Sequence, residues 1–337
     1  MVFTTGGTIA AVRAGDVFTI SMTGDELVKN CPEISGFPHR FELRNLFVKG
    51  GSNIEPEDWG VIARCISEEE AAFDAAVVSH GTDTLAYTAA ALSFLLLDFP
   101  KPVVVTGAMI PPGIPFSDAG ENLLSSLWFA ALLADSRRPG VSVSFGGRLI
   151  HGPRTSKINS WKKKAFDSID YPDLGRFRNG GGELFQTVPY IGAKQRKPFD
   201  FSLEKNIAYF SLFPGFCPHF LDNALENKPK AFVLEGFGVG GMPYALFESV
   251  KKILDYGIPV FVRSQAPFGG VDLTMYELGR NMLNLGVTPL NNMTREASVA
   301  KLMLLSPHKS GRALQEAMLE NFCDDVFKDR KIHSEME

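Results

Sequence analysis

Two threonines and one aspartate in this chain are placed where a hydroxyl group could be activated. Thr82 and Asp83 stand together in the stretch Ala76-Val77-Val78-Ser79-His80-Gly81-Thr82-Asp83-Thr84-Leu85. Thr8 follows two glycines in Val2-Phe3-Thr4-Thr5-Gly6-Gly7-Thr8-Ile9-Ala10. A threonine hydroxyl is a poor nucleophile until a base takes its proton. Cleavage of an amide also needs N–H donors for the tetrahedral oxyanion. Glycine lets backbone N–H groups approach a bound group closely, and both threonines lie beside glycine. A purely structural reading exists as well, because Thr82, Asp83 and Thr84 are all good helix N-caps. The Gly6-Gly7 turn lacks the second half of a dinucleotide fingerprint, and no Gly-Lys-Ser/Thr follows it to make a P-loop.

These residues depend on the elements that hold them. Residues 75–78 are small and β-branched, as a buried strand requires, and residues 85–97 form a long apolar run without Gly or Pro, read as a helix. The stretch is therefore strand, tight turn, helix. In an open parallel sheet such a turn lies at the carboxyl end of a strand, where ligands bind. Further strands are expected at 41–47, 102–106, 141–145 and 148–151, with a helix opening at Glu55-Pro56-Glu57 and another over 123–133. Residues 11–18 read as a short polar loop, and 171–205 as irregular chain. Strands at 206–213, 231–235 and 258–263 and helices at 216–224, 247–256, 296–305 and 311–322 follow. The alternation predicts an α/β protein of two domains, the first with a doubly wound, mainly parallel sheet. The boundaries are 1–190 for the first domain, 191–205 for a linker and 206–337 for a smaller α/β domain.

Thr5-Gly6-Gly7-Thr8-Ile9-Ala10 and His80-Gly81-Thr82-Asp83-Thr84, in that order, resemble the two signatures of the bacterial-type L-asparaginase/glutaminase family. Gly51-Ser52-Asn53, Val105-Thr106-Gly107-Ala108-Met109, Ser117-Asp118-Ala119-Gly120 and Arg154-Thr155-Ser156-Lys157 extend the resemblance over nearly the whole chain. The resemblance implies that Thr8 is the acyl acceptor, with Thr82, Asp83 and Lys157 activating the water or the nucleophile. It implies substrate contacts from Gly7, Gly51, Ser52, Asn53, Gly81 and Ala108, with Asp83 also accepting from the substrate ammonium. It implies a homodimer or homotetramer acting on L-asparagine, with L-glutamine as a further substrate open to it, without metal or cofactor. Two family features are missing. The lid region has no tyrosine, Phe18 being its nearest aromatic, and Gly241 stands where the family often has an asparagine that reaches a neighbouring subunit. Asp272 and Glu277 lie in the region that supplies an acidic residue to that neighbour in some members.

Bulk properties are consistent with this. The chain has 337 residues, 45% hydrophobic and 21% charged, as in soluble globular proteins. A net charge of −4 offers nucleic acid no electrostatic footprint. The four cysteines lack any C-x-x-C or metal-ligand spacing, and no leader is apparent, so a cytoplasmic protein is expected. The apolar run at 85–97 is too short to cross a membrane. His80 reads as a histidine packed under the turn, and Lys162 to Lys164 as a solvated face. Two other functions compete with the amidohydrolase. An ammonia-releasing subunit of a tRNA-dependent amidotransferase would carry a further N-terminal domain, and this chain begins at the glycine turn. A non-catalytic amino-acid-binding relative would have no need of Thr8, Thr82, Asp83 and Lys157 together.

Overall fold

The computed structural model describes residues 1–186 and 200–327. The chain divides into two compact units, Met1–Phe199 and Asp200–Glu337. Most of the expected linker, at 191–199, lies outside the described residues.

The first unit is built on an eight-stranded sheet. Its order is Gly181–Leu184, Gly175–Arg178, Arg148–His151, Gly140–Phe145, Pro102–Thr106, Ala76–Ser79, Val2–Gly6 and Leu43–Lys49. The last five strands run parallel, and the first three pair antiparallel at one edge. Val77, Val78 and Val103 to Val105 are at most 2% exposed, which is why these strands read as continuous apolar runs rather than alternating ones. The crossover helices Leu85–Leu95 and Ala119–Asp135 join parallel neighbours, while Pro56–Glu68 carries the chain from Leu43–Lys49 past Val2–Gly6 to Ala76–Ser79. Nearly every residue of Leu85–Leu95 is buried, so the helix has no polar face. Burying each of its Leu and Phe side chains contributes about 1.5–3 kcal/mol.

The second unit is a parallel four-stranded sheet in the order Ala208–Ser211, Phe232–Gly236, Val260–Ser264 and Thr288–Pro289. Its helices are His219–Glu226, Phe247–Asp255, Glu277–Leu285, Arg295–Leu305 and Gly311–Met318. The two-unit α/β reading therefore holds. No helix among the described residues is long and apolar enough to cross a membrane.

Three local expectations change. Residues 11–18 are not a loop, because Ala11–Ala14 and Val17–Ile20 pair as an antiparallel hairpin around Gly15, whose φ is 65°. Residues 171–205 are not irregular throughout, because Gly175–Arg178 and Gly181–Leu184 form the hairpin at the sheet edge. Its turn is Asn179-Gly180, both at positive φ, the pair a tight hairpin demands. The helix Glu277–Leu285 was not expected at all. The short strand Val2–Gly6 lies between two parallel partners.

Candidate active site

Three strand-end turns of the first unit converge through glycines. A Cβ added to Gly7 would lie 2.2 Å from the Gly81 Cα, and one added to Gly81 would lie 2.4 Å from the Gly51 Cα. No side chain fits at either place, and Gly7 also has a φ of 78°. The turns are stitched together by hydrogen bonds. Thr5 Oγ1 donates to the Ser79 carbonyl at 2.9 Å, Gly7 N–H to the Lys49 carbonyl at 2.9 Å, and Thr84 Oγ1 to the Gly51 carbonyl at 2.6 Å. Lys49 Nζ pairs with both Asp58 carboxylate oxygens, at 2.7 and 2.8 Å, and so ties the end of its strand to the helix Pro56–Glu68 on the far side of Gly50–Asn53.

This convergence gathers the expected polar residues. Lys157 Nζ lies 3.0 Å from Thr82 Oγ1 and 2.7 Å from Asp83 Oδ1. Ser52 Oγ donates to Asp83 Oδ2 at 3.0 Å. Lys157 comes from the short strand Thr155–Lys157, braced by antiparallel pairing with Phe166–Ser168. The Asp83 carboxyl is held below its ordinary value, first by the hydrogen bond from Lys157 and further by its charge and by Ser52, against a smaller opposing effect of burial. The N-cap explanation of this stretch fails. Thr84 occupies the N-cap position of Leu85–Leu95 without a side-chain capping bond, while Thr82, Asp83 and Thr84 spend their side chains across the corner.

Thr8 follows Gly7 in the single turn Thr8–Ala10 and is half-buried. Its hydroxyl has no hydrogen bond among the described residues, so it keeps its full capacity for a substrate. The Asn53 side chain is exposed and likewise unbonded. Ala108 is fully buried next to Gly107, where an added Cβ would meet the His80 carbonyl at 2.5 Å and Thr82 Cγ2 at 3.5 Å. The N–H groups of Thr82 and Asp83 also have no partner among the described residues.

His80 is fully buried, and burial pushes its imidazole down to about 4, so it is neutral and structural as expected. Phe18 lies on the strand Val17–Ile20 and is half exposed, and Gly241 bridges to Phe237 by backbone bonds. Asp272 and Glu277 lie in the second unit, with Asp272 accepting from Thr274 and Glu277 opening a helix. Trp161 and Lys162 to Lys164 are exposed. No group of three His, Cys, Asp or Glu among the described residues could hold a metal.

Asp118 enters the sequence reading only as part of a motif, and neither it nor Asn122 is given a role there. Asp118 accepts from Met109 N–H at 3.0 Å, Ile110 N–H at 2.8 Å and Asn122 Nδ2 at 3.0 Å. Asn122 in turn donates to the Gly107 carbonyl at 3.0 Å and accepts from Gly146 N–H at 3.0 Å. Together they pin the loop beside Thr82. Their signal was an Asp and an Asn four apart at a helix start, which alone also fits a simple cap.

A doubly wound α/β protein with a hydroxyl–ammonium–carboxylate corner at its strand ends has the equipment of a hydrolase. Residues 1–190 match the family model for the asparaginase N-terminal domain, and residues 206–318 match that for the glutaminase/asparaginase C-terminal domain. The chain belongs to the asparaginase family. It is 38% identical over 330 residues to an L-asparaginase of Thermococcus kodakarensis, spanning 97% of this chain and 98% of that one. The solved structure of the thermostable L-asparaginase from that organism superimposes with a TM-score of 0.88 at 35% identity, covering 97% of this chain and 99% of that one. A probable cytoplasmic L-asparaginase from Campylobacter jejuni gives a TM-score of 0.81 at 25% identity, covering 95% and 98%. The chain is also 32% identical over 340 residues to a glutamyl-tRNA(Gln) amidotransferase component of Pyrococcus furiosus, covering 96% of this chain and 75% of that protein.

Proposed function

We propose that this protein is an amidohydrolase that cleaves the side-chain amide of L-asparagine to L-aspartate and ammonia through a threonine nucleophile. One observation carries the reading, namely Lys157 Nζ bridging Thr82 Oγ1 at 3.0 Å and Asp83 Oδ1 at 2.7 Å. That corner adjoins Gly7-Thr8 through the Gly7–Gly81 contact. Thr8 Oγ1 attacks the amide carbon, the carbon–nitrogen bond breaks, and the amide NH2 leaves as ammonia with the one proton that the corner takes from the hydroxyl and passes on. Water then attacks the ester, releasing aspartate and restoring Thr8. In the resting state Lys157 Nζ donates to the Thr82 oxygen. It must shed a proton before it can accept one, and Asp83 orients and compensates its charge, the logic of a hydroxyl, base and orienting acid. The unpartnered Thr82 and Asp83 N–H groups serve as donors to developing negative charge.

Ser52 and Asn53 hold the substrate's α-amino and α-carboxylate groups, Asp83 accepts from its ammonium, and Gly7, Gly51, Gly81 and Ala108 give it a close backbone wall. We place the catalytic domain at 1–190, the linker at 191–205 and the second domain at 206–337. The working unit is a cytoplasmic homodimer or homotetramer, and Gly241 leaves one family contact between subunits to be supplied by another residue.

The test is ammonia release from L-asparagine, L-glutamine and their D-forms, with Thr8→Ala in parallel. Release from L-asparagine that Thr8→Ala abolishes supports the reading; full activity in Thr8→Ala removes Thr8 from it. The 32% identity to an amidotransferase component favours a second reading, an ammonia-releasing subunit that works with a partner chain. That reading predicts no release from any of the four amino acids by the isolated protein.

A further inference from the structure

The turn that presents Thr82 rests on a buried chain of side chains outside the reacting corner. His80 Nδ1 lies 2.8 Å from the Gly81 carbonyl oxygen. Its Nε2 lies 3.0 Å from Thr88 Oγ1, and Trp59 Nε1 donates to that same Thr88 oxygen at 3.1 Å. His80 and Thr88 are both fully buried, and Trp59 is 4% exposed, so no solvent exchanges for these partners.

The protons in this chain follow from chemistry. A carbonyl oxygen only accepts, so His80 Nδ1 carries the hydrogen. The neutral ring then has a bare Nε2, which accepts from the Thr88 hydroxyl. The Thr88 oxygen accepts in turn from Trp59, whose indole can only donate. Every donor and acceptor is used, and only the Nδ1–H tautomer satisfies the whole chain.

The consequence reaches Thr82 through one peptide bond. The Gly81–Thr82 peptide is planar and trans, so its carbonyl and the Thr82 N–H point to opposite sides. Fixing the Gly81 oxygen on the buried imidazole turns the Thr82 N–H away from it, and that N–H has no partner among the described residues. Gly81 cannot hold itself by side-chain packing, since a Cβ there would strike Gly51 at 2.4 Å. Its orientation therefore depends on its carbonyl.

We propose that His80, locked as its Nδ1–H tautomer by Thr88, is a positioning residue that aims the Thr82 N–H and hydroxyl for the reaction. This rests on the amidohydrolase reading above. His80 touches neither substrate nor Lys157. It acts by holding one peptide plane, and a loosened plane costs rate rather than affinity, because a small misplacement of a reacting group raises the barrier steeply.

The experiment compares Thr88→Val, which keeps shape and loses the hydroxyl, with Thr88→Ser, which keeps the hydroxyl. Trp59→Phe serves as a structural control, since it removes the indole donor but leaves the Thr88–His80 contact. Steady-state ammonia release from L-asparagine should show kcat reduced about tenfold in Thr88→Val with KM within about twofold. Thr88→Ser and Trp59→Phe should stay near wild type whatever their melting temperatures. Long-range proton–nitrogen NMR of the wild-type protein should find the His80 proton on Nδ1. Wild-type kcat in a folded Thr88→Val, or a His80 proton on Nε2, overturns the proposal. The NMR result decides even if Thr88→Val does not fold. A wild-type protein that releases no ammonia would instead sink the amidohydrolase reading, leaving the tautomer result to stand or fall by itself.

Discussion

Each unit carries a polar cluster at the carboxyl ends of a parallel sheet, and the two are built to opposite purposes. In the first, Asp83 meets Lys157, Thr82 and Ser52, and its side chain is 58% exposed. In the second, Glu235 is 1% exposed and accepts from Arg263, from Arg295 at 2.8 and 2.9 Å, and from Tyr209 at 2.7 Å. Burial pushes the Glu235 carboxyl up, but Tyr209 and the two guanidiniums outweigh it and hold it below the ordinary range. Burial drives the Tyr209 hydroxyl the other way, well above its usual value. The Glu235 carboxylate is saturated by its own neighbours, and a donor that cluster leaves over, Arg263 Nε, is buried. The Asp83 corner retains unbonded donors at Thr8, Thr82 and Asp83, and that spare capacity is what chemistry requires. A polar cluster marks an active site by what it leaves unsatisfied within reach of a ligand, more than by how many charges it gathers.

The comparison can be broken in several ways. The largest expected effect is on Lys157→Met, which removes the one group bridging Thr82 and Asp83. Ammonia release should fall about 10³-fold, in the middle of what a general base contributes. Glu235→Gln should act on stability instead, because it leaves buried Arg263 without its counter-charge. A loss of about 3–5 kcal/mol in urea unfolding is expected. Asp83→Asn should invert that pattern, with a stability change within about 1 kcal/mol at so exposed a site and about 10² in rate. Equal stability losses in the Glu235 and Asp83 variants would erase the distinction drawn here.

A smaller effect is pH-dependent. The folded value of His80, about 4, lies below its ordinary 6.5. As pH falls, the unfolded chain therefore takes up this proton first. The contribution is complete above pH 6.5 and is lost progressively down to about pH 4. Unfolding free energy should drop by about 2 kcal/mol between pH 7 and pH 5 for this group. His80→Gln should lack that component, and an unchanged slope in the variant would contradict it. The smallest effect belongs to the exposed basic run. Replacing Lys162, Lys163 and Lys164 with Gln should shift stability by no more than about 0.5 kcal/mol each.

Much of the fold was legible because its core strands are short apolar runs ended by glycine, as at Val78 and Val105. The hairpin Ala11–Ile20 was not, since most of its residues face solvent and give no alternation. The edge hairpin around Asn179-Gly180 carried a readable turn signal that was lost in a charged, glycine-rich stretch. At the corner, residue types and order revealed Thr8, Thr82, Asp83 and Lys157. They could not reveal that Thr84 bonds Gly51 instead of capping its helix, because that choice is made by a turn distant in sequence. Asp118 and Asn122 were hidden for the same reason, as their partners lie in the loop Gly107–Ile110 and at Gly146.

The most direct test of the central claim is ammonia release from L-asparagine by purified wild-type protein and by Thr82→Ala. The account predicts turnover by the wild type and a loss of about 10³-fold or more in Thr82→Ala, with the fold intact by circular dichroism. Undiminished turnover in folded Thr82→Ala would contradict it, because the Thr82–Lys157–Asp83 corner would then have no part in the reaction.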